Sequence, residues 1–161
     1  MRAAAEFERR TGPGSALVGE AGAIALACAA MAGRFHEGGK LIVFGNGSAA
    51  TDAAHVAVEF VHPVVVGKRA LPALSLSNDA AALTGLAEEH GLAGMYAAQL
   101  ALLADPVDIA LGICGPGAVG SVQRGLAEAR RLGLLTVALT GRYADCAGAA
   151  VLAEHVLRAE S

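Results

Sequence analysis

The feature that most constrains the fold of this chain is a short, continuous apolar run that recurs along it, each time followed by a segment of helical character. "KLIVFG" at residues 40–45 is rich in β-branched residues, and further apolar runs lie at 72–77, 107–114 and 134–141. A strand that is apolar at every position, rather than at alternate positions, is buried on both faces. Such strands alternate with helices when helices cover both sides of a parallel sheet. The sequence therefore predicts an α/β fold.

Helices and one more strand complete the predicted order of elements. Two helices between 78 and 104 divide at Gly91, and three more are expected at 15–35, 48–61 and 117–133. A fifth strand is expected at 150–157, in "AVLAEHVL". The result is an αβα sandwich around a five-stranded parallel sheet, flavodoxin-like or Rossmann-like in its alternation. Because no interdomain linker or repeat is present, residues 15–161 form one predicted domain after an N-terminal extension at 1–14.

Composition limits the classes of partner. The chain is 55% hydrophobic and 17% charged, which is apolar for a monomer and predicts contact between copies of the chain. Its net charge is −3 and its basic residues are scattered, so a nucleic-acid partner is not expected. The apolar segment 15–35 contains Glu20 and many Gly and Ala residues, which favours a buried or intersubunit helix over a membrane span. Three cysteines without CxxC spacing predict a reducing, cytoplasmic location.

Three loops are candidates for a binding site because ligands of such sheets lie beyond the carboxyl ends of the strands. They are residues 45–48, 77–79 and 114–117. Each joins a strand end to a helix start, where unpaired N–H groups and the helix dipole favour an anion such as phosphate. "GNGS" is not a GxGxxG motif and no Walker lysine follows it, so no nucleotide cofactor is expected.

The helix after the first loop carries an ionisable pair. His55 and Glu59 are four residues apart, so they share one helix face, which we place about one turn from the loop. One interpretation is a metal-binding or acid–base pair that faces a ligand at the helix N-terminus. The other is a partly exposed pair on a surface helix. Their apolar neighbours predict a largely buried helix, in which ionisable groups are paired or used.

Residues 15–157 resemble the sugar isomerase (SIS) domain family, in its phosphoheptose isomerase branch. The resemblance rests on "LIVFGNGSAATDAAHVAVEF", "LPALSLSNDAAALTGLAEEHG" and "DIALGICGPGAVGSVQRGLAEARRLGLLTVALTG", which occur in the family's order and spacing. It implies a five-stranded αβα sandwich and a homo-oligomer, a tetramer or a dimer, with sites at subunit contacts. It also implies conversion of sedoheptulose 7-phosphate to D-glycero-D-manno-heptose 7-phosphate, with zinc bound in some members.

The resemblance assigns roles to residues of the first motif. It implies that Asn46, Gly47 and Ser48 bind the sugar phosphate, and that His55 is a zinc ligand. Glu59 takes the place of a glutamate that is both the catalytic proton-transferring base and a metal ligand. An aldose–ketose isomerase needs such a carboxylate to move a proton between adjacent carbons.

The match is incomplete at the other substrate contacts. Glu88 and Glu89 stand where the family has a substrate-binding Asn-Asp pair, so Glu89 is expected to supply the carboxylate from a longer arm. The family's phosphate loop, Ser-Thr-Ser-Gly-Asn-Ser, is replaced by "CGPGAV", which has no hydroxyl and in which Pro116 lacks an N–H. Backbone N–H groups near Gly117 are expected to retain part of the phosphate binding. The family's C-terminal helix, with a glutamine and a histidine, is not matched before Ser161.

Three interpretations of function stay open on these residues. The first is an active phosphoheptose-type isomerase with Glu59 as its base. The second is a non-catalytic SIS protein that binds a sugar phosphate or a protein partner, and the third is a degenerate subunit in a mixed oligomer. His155, within the predicted fifth strand, is interpreted as structural. Cys114, at a strand end, is interpreted as a small core residue rather than a nucleophile.

Overall fold

Five parallel strands form one sheet within the part of the chain that the computed structural model describes, residues 12, 14, 15, 17–115, 117, 119–141 and 147–159. The strands are β1 (Leu41–Gly45), β2 (Ala73–Ser75), β3 (Ile109–Cys114), β4 (Leu135–Thr140) and β5 (His155–Arg158). Their spatial order is β2-β1-β3-β4-β5, and all neighbouring pairs are parallel. The predicted five-stranded parallel sheet is confirmed. Most of the predicted extension at 1–14 lies outside the described residues.

Helices connect the strands and cover both faces of the sheet. They are α1 (Ala21–His36), α2 (Ser48–Val61), α3 (Ala80–His90), α4 (Met95–Leu103), α5 (Gly120–Leu132) and α6 (Ala147–Leu152). The predicted division at Gly91 is confirmed, because its φ of +72° ends α3. The helix at 117–133 is found as α5, which ends at Gly133 in the left-handed conformation, with φ +86°.

Alternate residues of each strand face opposite helix layers. Phe44 packs in one core cluster with Tyr96 of α4 and Leu126 of α5. Val43, the preceding residue, packs in the other cluster with Ala53 of α2. All five residues of β1 are buried, as the continuous apolar run predicts for a strand enclosed on both faces.

The strand order fixes where a crevice can form. From β1 the chain crosses to β2 on one side and later returns to β3 on the other side. In open α/β sheets the connecting loops part at such a switch point, and ligands bind there, beyond the carboxyl ends of the strands. Here those ends are Gly45 and Cys114, so the loops that follow β1 and β3 border the crevice.

The fifth strand is shorter than predicted, and the prediction of a strand over 150–157 is wrong in its first part. Residues 147–152 form α6, and the strand starts at His155, which pairs with Val137 of β4. Ala149 lies fully buried in a core cluster from its position on the helix. A short apolar run does not distinguish a strand from a buried helix by periodicity alone, and small residues favour the helix.

Helix α1 is mostly exposed on the single chain. The expectation that this segment is buried within the subunit is therefore wrong. Ala27 is its one buried residue, whereas Leu26 has 66% of its surface exposed. The intersubunit alternative predicted for this segment is not affected. Among the residues described, no helix is long and apolar enough to cross a membrane.

A buried carboxylate joins the amino ends of β1 and β3, at the opposite edge of the sheet from the crevice. Asp108 accepts hydrogen bonds from the backbone N–H of Lys40 at 2.9 Å, from its Nζ at 2.6 Å, and from the backbone N–H of Asp105 at 2.8 Å. Burial alone lowers the pKa of Lys40, but the hydrogen bonds and charges of Asp108 and Asp105 raise this pKa above its usual value overall. The cluster fixes the position of β1 against β3.

The substitution Asp108→Asn is expected to lower the free energy of unfolding by about 2–4 kcal/mol, because the Lys40 ammonium loses its buried counter-charge. The matched control is Asp105→Asn, whose side chain is 75% exposed and lies 3.4 Å from Lys40 Nζ. That change is expected to cost at most about 0.5 kcal/mol. Urea denaturation measures both values, and equal losses for the two variants would contradict this account.

Candidate functional site

The crevice begins with a tight turn between β1 and α2. Gly45 ends the strand, and a Cβ on it would lie 2.8–2.9 Å from three atoms of Ala49. Gly47 caps the helix with φ +57°, a conformation that glycine adopts at little cost. The two glycines therefore allow α2 to start directly above the strand end, with Ser48 as its first residue.

The loop after β3 lies against this turn. The side-chain amide of Asn46 donates a hydrogen bond to Ser121 Oγ at 2.7 Å, which ties the first loop to the start of α5. A Cβ on Gly115 would lie 3.7 Å from Ser48 Oγ. The structure thus brings the first and third predicted loops together. Pro116 of the third loop, and Ala118 just after that loop, lie outside the described residues.

A pocket of about 240 Å³ opens at the ends of β3 and β4, beside the first two turns of α2. Ser48, Gly115 and Thr140 line it, together with the carboxylate of Asp52. Of the described residues that line the pocket, none is a lysine or an arginine. Among the residues described there, Asp52 is the one that carries a charge.

Two hydroxyl groups hold the last carbonyl of β1. Tyr96 donates to the Gly45 carbonyl oxygen at 2.6 Å, Ser77 donates to the same oxygen at 3.1 Å, and the two hydroxyl oxygens are 3.2 Å apart. Only 1% of the surface of Tyr96 is exposed. Burial raises the pKa of Tyr96. The first residue of the candidate loop is therefore held by a side chain of α4 and by one from the loop after β2.

Sequence reasoning missed Tyr96, Ser77 and Ser121. Ser77 lies in a loop that was expected to border the site, but the sequence does not show which oxygen its hydroxyl contacts. Tyr96 lies in an apolar helix, and its hydroxyl is the signal that was available, because buried tyrosine hydroxyls are normally hydrogen-bonded.

The predicted ionisable pair forms, but it is not buried. His55 Nε2 lies 3.4 Å from Glu59 Oε1, and the side chains are 72% and 39% exposed. The burial prediction is wrong because Ala49, Ala53 and Ala57, spaced four apart, form the face of α2 that packs on the sheet. His55 and Glu59 project from a different face of the helix.

The distance from the loop to this pair is also larger than expected. His55 is seven residues from Ser48, or about 10 Å along the helix axis, and Glu59 is eleven residues away, or about 16 Å. The expectation of one turn is therefore wrong. Ser48, Asp52, His55 and Glu59 are spaced by four, three and four residues, so they form a polar stripe along one exposed face of α2.

Glu59 borders a groove of about 340 Å³ at the far end of this stripe. The segment that follows α2 forms the opposite side of the groove and contributes Lys68 and Arg69. Phe60 and Leu71 also line it, and the backbone N–H of Leu71 donates to the Phe60 carbonyl at 2.8 Å. A carboxylate and two cations therefore share one concave surface.

The predicted substrate residue Glu89 lies elsewhere. It is exposed on the last turn of α3, with Oε1 at 3.8 Å from Nε2 of His90. It lines neither the pocket at the strand ends nor the groove beside Glu59. Leu92 and Ala93, which follow shortly after it, line another pocket together with Asn46 and Ser121.

The residues fit zinc only in part. His55 Nε2 and the Glu59 carboxylate are suitable donors, but protein zinc sites use three or four protein ligands. Within the described ranges, no group of three or more His, Cys, Asp or Glu side chains is placed to hold a metal ion. The pair supplies two ligands and needs others to complete a set.

The chain resembles known proteins over most of its length. Residues 15–141 match a family model described as the SIS domain. Phosphoheptose isomerases from Roseiflexus sp. (strain RS-1) and Desulfovibrio desulfuricans are 37% and 42% identical over 122 and 105 residues. These matches cover 76% and 65% of this chain, and 59% and 50% of the relatives. The chain thus spans little more than half the length of these curated relatives.

Solved structures agree with the sequence match. A phosphoheptose isomerase from Francisella tularensis superposes with a TM-score of 0.88 at 28% identity, and one from Neisseria gonorrhoeae with 0.87 at 26%. Each comparison covers 99% of this chain and 85% of the other chain. The similarity therefore extends across the whole sheet and both helix layers.

The substitution Tyr96→Phe is expected to destabilise the fold by about 1–2 kcal/mol, because a buried carbonyl loses its shorter hydrogen bond. Hydrogen exchange at the amides of residues 46–48 is expected to accelerate by more than global unfolding explains. Thr84→Val is the control, since the exposed Thr84 hydroxyl bonds only to carbonyls of its own helix. An unchanged exchange rate in Tyr96→Phe would show that this hydroxyl does not hold the loop.

Proposed function

This chain belongs to the SIS domain family, and we propose that it isomerises sedoheptulose 7-phosphate to D-glycero-D-manno-heptose 7-phosphate. The observation that carries the proposal is the position of Glu59, a partly exposed carboxylate that borders a groove of sugar-phosphate size and lies 3.4 Å from His55. The names of the similar proteins support the same substrate and reaction.

The reaction moves one proton between adjacent carbons, and Glu59 is the proposed base. Its carboxylate takes a proton from C1 of the open-chain ketose while the C2 oxygen gains one, which gives an enediol. Loss of the proton from the C1 oxygen and return of the Glu59 proton to C2 give the aldose. When its Nε2 carries hydrogen, the imidazole of His55 donates to the carboxylate and holds its orientation.

The crevice residues complete the proposed substrate contacts. Asn46, Gly47 and Ser48 lie at the helix start, where backbone N–H groups have no carbonyl within the helix to bond. Gly117, with φ +109°, lies in the facing loop. Glu89 stays a prediction from the family pattern alone, because it is exposed at the end of α3.

We also propose that the site can bind a zinc ion. His55 and Glu59 would hold it together with donors from outside the described residues. Bound zinc supplies a Lewis acid that polarises a carbonyl oxygen. The carboxylate of Glu59 transfers the proton in either case.

We further propose a cytoplasmic homo-oligomer, a dimer or a tetramer. Large apolar side chains are exposed on the N-terminal helical region and after α2, including Val18 at 76%, Leu26 at 66% and Val66 at 99%. Apolar surface of this kind is typical of a subunit contact. Cys28 and Cys114 are free thiols, in keeping with a reducing compartment.

The substitution Glu59→Gln is expected to lower kcat for sedoheptulose 7-phosphate by about 10²–10⁴-fold, because it removes the base. Conversion to the aldose is followed by NMR, with and without zinc, beside Glu37→Gln, which changes an exposed carboxylate at the end of α1. The control is expected to keep full activity. If the unmodified protein is a folded oligomer but shows no turnover with or without zinc, the isomerase proposal is contradicted. That result would favour a non-catalytic, ligand-binding role.

The substitution Leu26→Glu is expected to shift the protein to a smaller species in light scattering coupled to size exclusion, because it places a charge in the proposed subunit contact. Val151→Glu on α6, where the valine is 77% exposed, is the matched control and is expected to leave the mass unchanged. A native protein that is monomeric at micromolar concentration would contradict the oligomer proposal.

A further inference from the structure

A buried serine on α5 is hydrogen-bonded to the first loop of the crevice. Ser121 lies in the first turn of α5, and only 5% of its surface is exposed. The side-chain amide of Asn46 donates to its Oγ at 2.7 Å, which joins two residues that are 75 positions apart in the sequence. The hydrogen bond lies at the wall of a pocket of about 330 Å³, a size that suits a small ligand. The pocket is lined by Asn46, Leu92, Ala93, Met95, Gly120 and Ser121.

The hydroxyl of Ser121 is not explained by the packing of α5. The other buried residues of this helix are apolar, namely Val122, Gly125, Leu126 and Ala129. An alanine would fill nearly the same volume as the serine, and burying a hydroxyl costs free energy unless it is hydrogen-bonded. The start of the helix does not use the hydroxyl either, because α5 has no side-chain cap. The bond to Asn46 accounts for its presence.

The backbone around Asn46 is held by other groups, so Ser121 acts on the side chain. Tyr96 donates to the Gly45 carbonyl, and the Asn46 carbonyl accepts from the backbone N–H of Ala49 at 3.0 Å. The side-chain torsion of an asparagine has a broad, roughly twofold preference, and rotation about it exchanges the amide oxygen with the amide nitrogen. The bond to Ser121 selects one of these orientations.

We propose that Ser121 is a positioning residue, whose hydroxyl holds the Asn46 amide in the orientation in which that amide contacts the sugar phosphate. The inference rests on the proposed function for the role of Asn46 in substrate binding. An amide that is oriented before the ligand arrives loses less rotational freedom on binding and presents the correct atom to it. Because Asn46 is proposed to bind the substrate and not to transfer its proton, loss of this orientation weakens binding more than it slows the chemical step.

The first experiment follows the side-chain NH₂ group of Asn46 by heteronuclear NMR in the full chain without ligand. Its signals are assigned from their absence in Asn46→Asp. Ser121→Ala is expected to accelerate the exchange of the bonded proton with water by about threefold to tenfold, because that proton loses a hydrogen bond of ordinary strength. Ser121→Thr keeps the hydroxyl and is expected to stay within about twofold of the unmodified protein.

Kinetics with sedoheptulose 7-phosphate give the second readout. Ser121→Ala is expected to raise KM by about threefold to tenfold and to change kcat by less than about twofold, whereas Ser121→Thr restores KM. Thr136→Val is the matched control, because it removes a fully buried hydroxyl near the start of β4, at the opposite edge of the sheet from the crevice. This control is expected to lower stability and to leave KM unchanged.

Three results would overturn the inference. One is an unchanged exchange rate of the Asn46 side-chain protons in Ser121→Ala. Another is an equal rise in KM in Thr136→Val, which would show that loss of stability alone is responsible. The third is an equal rise in KM in Ser121→Thr, which would show that the size of the side chain matters and its hydroxyl does not.

Binding measurements separate this inference from the proposed function. Calorimetry with sedoheptulose 7-phosphate is performed on Glu59→Gln with and without Ser121→Ala, so that no turnover is needed. Weaker binding in the double variant, with no turnover by the unmodified protein, would support the role of Ser121 and remove the isomerase. Turnover that depends on Glu59, with KM and Kd unchanged by Ser121→Ala, would leave the isomerase proposal standing and remove this inference. An unmodified protein that does not bind this sugar phosphate contradicts both.

Discussion

Burial of β1 on both faces is the constraint on which the rest of the structure depends. The strand pairs with β2 on one side and β3 on the other, so its backbone is satisfied within the sheet and its side chains must be apolar. Its end at Gly45 is held by two hydroxyl groups and lies directly below the start of α2. The crevice, the polar stripe and the groove beside Glu59 all take their positions from this strand through α2.

The two ends of helix α2 lie in different chemical environments, although both belong to one sequence motif. Its start lies in a crevice to which the described residues contribute glycines, hydroxyl groups and Asp52. Its end faces two cations on the segment that folds back beneath it.

The fold could be predicted from the sequence in most respects. Continuous apolar runs indicate strands enclosed on both faces, and glycines at 91 and 133 mark the ends of helices where a left-handed or extended exit is needed. The error at 150–157 arises because "AVLAEHVL" is short and apolar in a way that suits either structure. Contact of Ala149 with the core, which is a tertiary property, decided for a helix there.

The candidate site was predicted less completely, for a physical reason. Spacing alone determined that His55 and Glu59 meet, because residues four apart on a helix are neighbours, and the sequence also determined the sheet and the loops at its edge. Only the tertiary structure decided that this face of α2 is exposed, that Tyr96 and Ser77 reach the Gly45 carbonyl, and that Lys68 and Arg69 share a groove with Glu59. The helix spacing and the strand pattern are set locally, by residues close together along the chain. The other properties depend on contacts between segments that are distant along the chain, and no local pattern encodes which side chains those contacts bring together.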